Sequence, residues 1–508
     1  MHPQRSVDHA RALSLPARSN ASTRETVTPW WLIAPLALAP IFLAVLQLGR
    51  WHPDEVYQFL EPAYFRVHGY GIRAWEWNVG LRNWATPLLY AGLLQVSNAL
   101  GIEHPHLYRA LIALPQLALN LGAIWAVWRY LERRLSKLGG GWLVLAVLSV
   151  AAFAPMIVFG GRTMGESLST SLLLLAAERL DRDPSAREPH ARDATRADGL
   201  WAGLWLGLSV VVRYGSAVFV ISALVWLLAT RRFRSLLWTC LSGGVVALVL
   251  GGLDWATWGK PFHSLFAYTE FNVVSGDAAE RFGASEWYWY LPLLLAWIPL
   301  WAWAGAVAST VKERRLPWPA LAGLVYVASI SATGHKEERF LYPGVVLLVL
   351  AAAPGWIWLV TRVRSPFFRV AVAVLTLAAG LVPLVRVPDF RGDQFRAQII
   401  ATRDDGARGL LIIGDGLWGS GGHFYMGRNI PLYNADDVTS IRHFLTVDRR
   451  VNRVIAIDDR AVKTLESFDF VPAGQVGRVK IWVRRESGGP QDRERESNAP
   501  SRTATEAG

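Results

Sequence analysis

Cysteine is almost absent from this chain, since Cys240 is the only one among 508 residues. A single thiol excludes an intrachain disulfide and any thiolate metal cluster. The spacing of the other possible ligands does not favour a metal either: His104 and His106 lack partner ligands nearby, and Asp458-Asp459 is expected to end a strand. We predict no metal and no cofactor.

Charged residues are also scarce, at 18% against 52% hydrophobic residues, with 25 tryptophans. The apolar residues form long runs, which predict a polytopic α-helical membrane protein with about eleven transmembrane helices of about 20 residues. The net charge of +12 comes from Lys and Arg in short loops between these runs, where they set topology and meet lipid headgroups. Membrane lipids, and not nucleic acid, are therefore the expected partners.

The loop charges predict one topology. A cytoplasmic N-terminal tail (1–29) is followed by an uncleaved first span, and the basic loops near 129–137 and 182–196 then fall on the cytoplasmic side. The apolar stretch 85–100 would break this pattern if it crossed, so we predict an interfacial helix there. The opposite, non-cytoplasmic face receives the segments that are rich in functional groups, namely 50–107, the tip around 213–215, 254–288, 334–339 and everything from 388 onward.

The composition changes after the membrane module, which we place at 30–387. Strand-like runs at 409–413, 454–457 and 479–483, separated by Gly, Asp and Asn turns, predict a small α/β soluble domain over 388–487. The polar tail 488–508 is expected to be disordered.

A glycine pattern in this domain, Gly414-x-Gly416-x-x-Gly419, formally matches the dinucleotide fingerprint. The segment that follows it is a poor helix start, and the predicted topology places it outside the cell. We therefore predict a glycine-rich turn.

The first external loop contains a dense group of polar residues directly after the first span. Pro53 suits an early helix position, and Asp54, Gln58 and Glu61 then recur at helical spacing on one face of a helix that ends by Gly69. A carboxylate near the low-dielectric boundary would have a raised pKa and would suit general-base catalysis. The alternative is that Asp54 and its neighbour only cap the helix, although the density of charged and aromatic residues exceeds what capping requires.

A second charged segment, His335-Lys-Glu-Glu-Arg339, is predicted between two spans on the same face. Its cations could bind a phosphate on a lipid carrier and stabilise it as a leaving group. The alternative is a solvated loop with internal salt bridges. Because Lys336 and Arg339 oppose the positive-inside trend, we favour a functional role.

The aromatic residues of 254–290 could form a membrane-interface belt or could stack on sugar rings. Three charged residues at span ends, Arg162, Glu166 and Arg213, are expected to face a cavity and not lipid.

These motifs together resemble a known family. His52-Pro-Asp-Glu-Val-Tyr-Gln58, Gly69-Tyr-Gly71 and Ala74-Trp-Glu-Trp77 resemble the opening loop of the dolichyl-phosphate-mannose-dependent mannosyltransferases that build GPI anchors and N-glycan precursors. These enzymes form glycosyltransferase family 22, of the GT-C type. The similarity continues in order to about residue 345, through Arg162–Ser167, Trp258-Gly259, Phe271-Asn272, Trp287–Tyr290 and Gly334–Phe340.

The chain departs from the family pattern at a few positions. Ala74 stands where the family usually has Thr, Arg213-Tyr-Gly where it often has Arg-Pro-Thr, and Trp258 where Tyr is usual. The C-terminal domain has no recognised counterpart.

The resemblance implies an inverting transfer of mannose from a polyprenyl-phosphate carrier to a hydroxyl of a lipid-linked or glycolipid acceptor, without a nucleotide sugar. It implies Asp54 as the base, assisted by Glu55, with the donor phosphate bound by His335, Lys336, Arg339 and Arg213. The remaining predicted substrate-binding residues are His52, Gln58, Trp75, Glu76, Trp77, Arg162, Glu166 and Trp287.

Two alternatives stay open. One is a GT-C transferase with another lipid-phosphate sugar donor or with a protein or lipid A acceptor. The other is a transporter or flippase, which is disfavoured because the chain shows no internal repeat. The expected location is the bacterial inner or plasma membrane with the site on the periplasmic or extracellular face, or the endoplasmic reticulum membrane in a eukaryote.

Overall fold

The computed structural model describes residues 28–182, 191–313, 316–386, 389–414, 416 and 419–485. Most of the N-terminal tail and the predicted disordered tail, 488–508, lie outside these residues. A helical part is followed by a small mixed sheet.

The first half of the helical part surrounds the first external loop. Its helices are α1 (Trp30–Leu46), α2 (Glu61–His68), α3 (Trp75–Asn78), α4 (Ala85–Ala99), α5 (Pro105–Ile112), α6 (Leu114–Leu135), α7 (Gly140–Ala151), α8 (Ala154–Phe159), α9 (Gly165–Leu180) and α10 (Ala191–Val212). A π-helix, Glu55–Leu60, leads directly into α2.

The second half contains α11 (Ala217–Ala229), α12 (Phe233–Trp258), α13 (His263–Thr269), α14 (Asp277–Phe282), α15 (Tyr290–Trp297), α16 (Leu300–Glu313), α17 (Trp318–Ala332), α18 (Leu341–Val360) and α19 (Pro366–Leu381). A second π-helix covers Glu270–Val274. Short 3₁₀ helices cover Tyr214–Ser216, Trp287–Trp289, Glu338–Phe340 and Val382–Arg386.

The number of spans is smaller than predicted when it is judged by helix length and composition. Among the described residues, 4 helical segments are long and apolar enough to cross a membrane, or 5 if a pair bent by 101° counts as one. Several other apolar runs are interrupted: α7 ends at Ala151, and α8 starts again at Ala154 with Pro155 in its first turn. The count of eleven is not confirmed.

The core of the helical part is centred on α18 and α9, whose residues are almost all buried. Close approach of α16 to α18 depends on glycine, because a Cβ on Gly355 would lie 2.1 Å from the carbonyl oxygen of Gly305. The stretch predicted as an interfacial helix forms α4, which packs against α2. Its position relative to the membrane stays a prediction.

The C-terminal domain contains a five-stranded sheet in the order β2-β1-β3-β5-β4. The strands are β1 (Leu410–Ile413), β2 (Leu432–Ala435), β3 (Arg453–Ala456), β4 (Phe470–Val476) and β5 (Val479–Arg484). β1 pairs in parallel with β2 and β3, with Leu411 opposite Val454, whereas β5 pairs antiparallel with β3 and β4. Helices α20 (Gly392–Thr402), α21 (Gly422–Met426), α22 (Val438–Val447) and α23 (Val462–Ser467) accompany the sheet.

The three predicted strands are confirmed as β1, β3 and β5, which form the middle of the sheet. The two strands that the sequence did not predict lie at its edges. β4 contains Pro472 and Gly474, at which its pairing with β5 shifts register, and both residues are typical of edges and bulges.

Candidate active site

The helix of the first external loop begins as a π-helix and ends at Gly69, whose φ of 78° terminates α2 as predicted. The prediction that Glu61 shares one polar face with Asp54 and Gln58 is wrong. A π-helical turn contains about one residue more than an α-helical turn, so a residue seven positions on leaves the face of the first. The three side chains contact three different sets of partners.

Asp54 lies in a cluster of charged side chains drawn from four parts of the chain. Its Oδ2 accepts a hydrogen bond from Nη2 of Arg339 at 2.6 Å, and its Oδ1 lies 3.2 Å from Nδ1 of His52. Arg339 also pairs with Glu337, and its Nη1 is 3.6 Å from Oε1 of Glu166. One guanidinium is therefore shared by three carboxylates.

Two histidines and a second arginine complete this Asp54 cluster. His335 Nε2 lies 2.9 Å from Oε1 of Glu337, and His52 Nε2 lies 3.4 Å from the other carboxylate oxygen. Arg213 Nη2 lies 3.2 Å from Oε1 of Glu166. The cluster brings together six predicted site residues, namely His52, Asp54, Glu166, Arg213, His335 and Arg339.

Glu337 is the member of the cluster that the sequence analysis missed. Its backbone is extended, with φ −137° and ψ 146°. Since side chains alternate along an extended segment, 335, 337 and 339 can share one side while 336 and 338 point elsewhere. This alternation of side chains is the signal by which the sequence could have identified Glu337.

The prediction of a raised pKa at Asp54 is wrong. Burial does raise the pKa of this carboxyl, but the charge of Arg339, followed by that of His52, lowers it more, to well below its usual range. The same balance, with Arg339 and His335 outweighing burial, lowers the pKa of Glu337 to about 2. Both carboxylates are ionised at neutral pH and are held by cations.

Lys336 does not join the Asp54 cluster. Its Nζ donates to the backbone carbonyl of Ser285 at 2.8 Å and also to that of Thr333. These contacts hold the loop before the 3₁₀ helix Trp287–Trp289 against the end of α17.

Glu55 and Arg162 lie together on a different side of the loop. Oε1 of Glu55 accepts the backbone N–H of Trp51 at 2.5 Å, and Oε2 is 4.0 Å from Nη1 of Arg162. Arg162 donates to the carbonyl of Gly49 at 2.6 Å and to Oε1 of Gln47 at 2.9 Å. This pair anchors the chain between α1 and the π-helix.

Gln58 and Glu76 form a third group with Arg82. Oε1 of Glu76 accepts from Nη2 of Arg82 at 2.6 Å and from Nε2 of Gln58 at 3.2 Å. Burial lowers the pKa of Arg82, but Glu76 and then Asp54 raise it more. The influence of Asp54 shows that this group borders the Asp54 cluster.

The predicted tryptophans differ in surroundings. Trp77 is fully buried and donates through Nε1 to the carbonyl of Tyr57 at 3.0 Å, so it belongs to the core of the loop. Trp75 is partly exposed and lies under the guanidinium of Arg281, whose Cζ is 3.9 Å from its ring centroid. Trp287 is 66% exposed.

A pocket of about 480 Å³ borders the Asp54 cluster on another side. It begins at the residue before Asp54 and also touches the residue between Glu337 and Arg339. Its lining residues are Arg50, Trp51, Pro53, Glu338, Phe390, Arg391 and Gly419. We call it the Arg50 pocket.

Glu61 attaches the C-terminal domain to the first loop. Its carboxylate is fully buried and accepts the backbone N–H groups of Ile72 at 2.8 Å, His423 at 2.9 Å and Phe424 at 2.8 Å. It thereby occupies the start of α21, which follows the glycine pattern, and this disfavours a nucleotide there. Among the described residues, no group of three His, Cys, Asp or Glu is arranged to hold a metal ion.

Comparison with known proteins identifies a family match that covers most of the chain. Residues 30–389 match the Alg9-like mannosyltransferase family. GPI mannosyltransferase 3 of Yarrowia lipolytica is 30% identical over 318 residues, which cover 60% of this chain and 58% of that protein. The Candida albicans protein of the same name is 28% identical over 343 residues, 65% of this chain and 63% of its own length. The chain thus spans less than two thirds of these relatives.

Solved structures resemble the whole fold. ArnT from Cupriavidus metallidurans, in a structure bound to undecaprenyl phosphate, has a TM-score of 0.58 at 15% identity, covering 92% of this chain and all of that one. The mycobacterial arabinofuranosyltransferase AftD has a TM-score of 0.50 at 14% identity, covering 93% of this chain and 43% of its own. These similarities confirm a polytopic membrane fold of the GT-C type.

Proposed function

Because the chain belongs to the Alg9-like mannosyltransferase family, we propose that it transfers a mannosyl group from a polyprenyl-phosphate carrier to a hydroxyl of a lipid-linked or glycolipid acceptor. The names of the relatives support the sugar, and the undecaprenyl phosphate in the ArnT structure supports the carrier. The observation that carries the proposal is the position of Asp54, a carboxylate paired to cations that suit a phosphate.

In the proposed reaction Asp54 accepts the proton of the acceptor hydroxyl. The hydroxyl oxygen attacks C1 of the mannosyl group on the side opposite the phosphate, and the bond between C1 and the phosphate oxygen breaks. The polyprenyl phosphate leaves with the bonding electrons, so a single displacement inverts C1. His335 and Arg339 stabilise the charge that develops on the leaving phosphate.

The contacts of Arg339 suggest how donor binding prepares the base. Without substrate, Arg339 holds the pKa of Asp54 low, which makes this carboxylate a weak base. A donor phosphate competes for the same guanidinium. Once Arg339 turns toward the phosphate, Asp54 loses its strongest cationic partner and its pKa rises toward the range in which it accepts a proton.

Glu55 is assigned a positioning role. It is 3% exposed and bonds to the backbone of Trp51, three residues before Asp54. Its carboxylate therefore fixes the start of the π-helix and with it the place of Asp54. Arg162 acts in the same way from the side of α9.

We place the reaction on the non-cytoplasmic face, at the end of α9 that contains Glu166. The basic loops lie at the other end of this helix, where Glu178 pairs with Arg133 and Arg182. Glu166 and Glu178 are separated by about 18 Å along the helix axis at 1.5 Å per residue. Cytoplasmic basic loops thus imply a site near the opposite membrane surface.

The test is transfer by the purified full chain from radiolabelled polyprenyl-phosphate mannose to extracted membrane lipids. Asp54→Asn should lower the rate by about 10²- to 10⁴-fold, the usual contribution of a positioned base. Glu55→Gln should cost less. Asp405→Asn, at a fully exposed side chain in the C-terminal domain, is the matched control.

Near wild-type transfer by Asp54→Asn would overturn the assignment of Asp54 as the base. The Asp54 side chain makes no capping hydrogen bond at the start of the π-helix, so capping does not explain its position. Wild-type protein that uses another polyprenyl-phosphate sugar but not the mannose donor would keep the reaction class and change the sugar.

A further inference from the structure

A buried hydrogen-bonded network lies outside the Asp54 cluster and has no part in the proposed reaction. Oδ2 of Asp254 accepts the backbone N–H of Ser264 at 2.8 Å and the hydroxyl of the same residue at 2.6 Å. The Ser264 hydroxyl contacts the hydroxyl of Tyr214, and Nδ2 of Asn83 lies 3.0 Å from the Tyr214 oxygen. Asp254, Ser264 and Tyr214 are buried. The network joins α12, α13, the segment after α10 and the segment before α4.

The chemistry of these groups fixes the direction of the hydrogen bonds in the network. Oδ2 of Asp254 accepts both the N–H and the O–H of Ser264, so the single proton of that hydroxyl is used. The Ser264 oxygen then accepts the proton of the Tyr214 hydroxyl. The Tyr214 oxygen is left as an acceptor, which the amide N–H of Asn83 requires. Removal of the Tyr214 hydroxyl therefore breaks the network on both sides.

The network connects the two segments that contain Arg82 and Arg213. Asn83 directly follows Arg82, and Tyr214 directly follows Arg213. The hydrogen bond from Asn83 to Tyr214 therefore sets the spacing of the backbone immediately after both arginines. A second bond from the Asn83 amide, to the carbonyl of Val211 at 2.8 Å, holds the same two segments together.

The end of α12 and the start of α13 also contact the segment of Arg82. Nε1 of Trp258 donates to the backbone carbonyl of Arg82 at 3.1 Å. Gly80 has a φ of 72°, and a Cβ at this position would collide with Nε2 of His263. The backbone around Arg82 is therefore fixed by both helices as well as by Asn83.

Arg213 belongs to the Asp54 cluster directly. Its Nη2 lies 3.2 Å from Oε1 of Glu166, an oxygen that is also 3.6 Å from Nη1 of Arg339. Its Nη1 donates to the hydroxyl of Tyr326 at 3.0 Å. A shift of the Arg213 backbone would therefore disturb the cations that the proposed reaction assigns to the donor phosphate.

Arg82 acts on Asp54 through its charge. Burial raises the pKa of the Asp54 carboxyl, whereas Arg339, His52 and, least of the three, Arg82 lower it. The effect of a charge falls with its distance from the titrating group. A displacement of Arg82 away from Asp54 would therefore raise this pKa.

We propose that Tyr214 is a positioning residue for the transfer reaction: its hydroxyl holds the segments of Arg82 and Arg213 at the spacing that donor binding and base catalysis require. Tyr214 contacts no substrate in this scheme and acts through the two arginines. The assignment rests on the proposed transferase function, since the donor phosphate and the base are defined by it.

The experiment compares variants of the detergent-purified full chain that each lose one hydroxyl. Tyr214→Phe keeps the ring, whose centroid lies 5.1 Å from that of the Tyr268 ring. Ser264→Ala breaks the same network at a residue that is adjacent to neither arginine, and it replaces Tyr214→Phe if that variant does not fold. Tyr433→Phe is the matched control, because its hydroxyl also donates a hydrogen bond, to Asp448 at 2.9 Å, but lies in the C-terminal domain.

Two quantities are measured for each folded variant: the dissociation constant of undecaprenyl phosphate, and the pH profile of kcat/KM with radiolabelled polyprenyl-phosphate mannose. Tyr214→Phe should weaken undecaprenyl phosphate binding about three- to tenfold, since a lost hydrogen bond is typically worth that much. Its acid limb should move to higher pH, because Arg82 is then held less closely to Asp54. Ser264→Ala should change both quantities in the same direction, and Tyr433→Phe should change neither.

The double variant of Tyr214→Phe and Ser264→Ala should bind undecaprenyl phosphate no more weakly than Tyr214→Phe alone, because both changes break one network. Wild-type binding and an unmoved acid limb in folded Tyr214→Phe would overturn the proposal, and so would equal changes in Tyr433→Phe. A change in binding alone would overturn the part that concerns Arg82, and a shift of the acid limb alone would overturn the part that concerns Arg213.

Failure of the wild-type chain to transfer mannose would instead overturn the proposed function. Binding of undecaprenyl phosphate requires no transfer and separates the two. Weaker binding by Tyr214→Phe would then still support the positioning of Arg213, and unchanged binding would overturn it.

Discussion

The two ends of the π-helix Glu55–Leu60, at Asp54 and at Glu61, hold their carboxylates in opposite ways. Asp54 is bound by the side chains of Arg339 and His52, whereas Glu61 is bound by three backbone N–H groups. A flexible side chain can exchange one anion for another, but a backbone N–H within a packed segment cannot. The first arrangement suits a reaction, and the second suits the attachment of a domain.

Exposure agrees with this difference. The side chain of Asp54 is 17% exposed and that of Glu61 is 0% exposed. A substrate can therefore reach Asp54 without unfolding, whereas Glu61 is enclosed between α2 and α21. The same short helix contributes to the site at its start and to the docking of the C-terminal domain at its end.

The largest effect is expected at the Asp54 end. Arg339→Ala should lower transfer by about 10²- to 10³-fold, because it removes a cation from the leaving phosphate. It should also move the acid limb of the kcat/KM profile to higher pH, since that profile reports the free enzyme, in which Arg339 holds the pKa of Asp54 low. Kinetics measured from pH 4 to pH 8 would check both effects.

Arg339→Lys is the control, because it keeps the charge and loses the planar fork. Its acid limb should lie between those of the wild type and Arg339→Ala. A profile that does not move in either variant would contradict the assignment of Asp54 as the base and would remove the contrast with Glu61.

The sequence predicted the surroundings of Asp54 in part, but it did not predict that Glu61 has different partners. The charged run 335–339 and the density around Asp54 predicted that the two segments would act together, and they do meet at Arg339. The separation of Asp54 from Glu61 was not predictable, because a π-helical turn leaves no signal in residue spacing. The place of Glu337 in the cluster could have been predicted, because side chains alternate in direction along an extended segment.

The same limit applies to the pocket and the sheet. Apolar runs such as 409–413 predicted the inner strands β1 and β3, whose residues are buried on both faces. The edge strand β4, with its proline and glycine, lacks that pattern. Beside the Arg50 pocket, the N–H groups of Gly49 and Arg50 donate to the Asp389 side chain and the Phe390 carbonyl. Contacts between residues 340 positions apart have no local signature in the sequence.

A smaller effect, on stability and not on chemistry, is expected at the Glu61 end. In Glu61→Gln one acceptor oxygen becomes a donor that faces backbone N–H groups, so at least one buried N–H loses its partner, at a cost of about 1–3 kcal/mol. The midpoint of thermal unfolding should fall, and limited proteolysis should release the C-terminal domain earlier. Glu103→Gln, an exposed residue of the same loop, is the control. Unchanged protease resistance in Glu61→Gln would mean that other contacts dock the domain.

The smallest effect is expected at Glu337. The pH dependence of its contribution to stability tests whether the cations of the Asp54 cluster also stabilise the folded state. Burial raises the pKa of Glu337, but Arg339 and His335 lower it to about 2, below the value of 4.5 for an ordinary glutamate. A carboxyl whose pKa falls on folding stabilises the folded state fully above its unfolded pKa, and this contribution disappears as the pH falls toward the folded pKa. Glu337→Gln should therefore unfold at a lower temperature than the wild type at pH 7, and the gap should narrow between about pH 4.5 and pH 2. Thermal midpoints of both proteins across this range would check this prediction.

A difference in thermal midpoint that stays constant with pH would show that the glutamine disturbs packing. The ion pairs of this cluster would then contribute nothing to stability, unlike the backbone hydrogen bonds of Glu61.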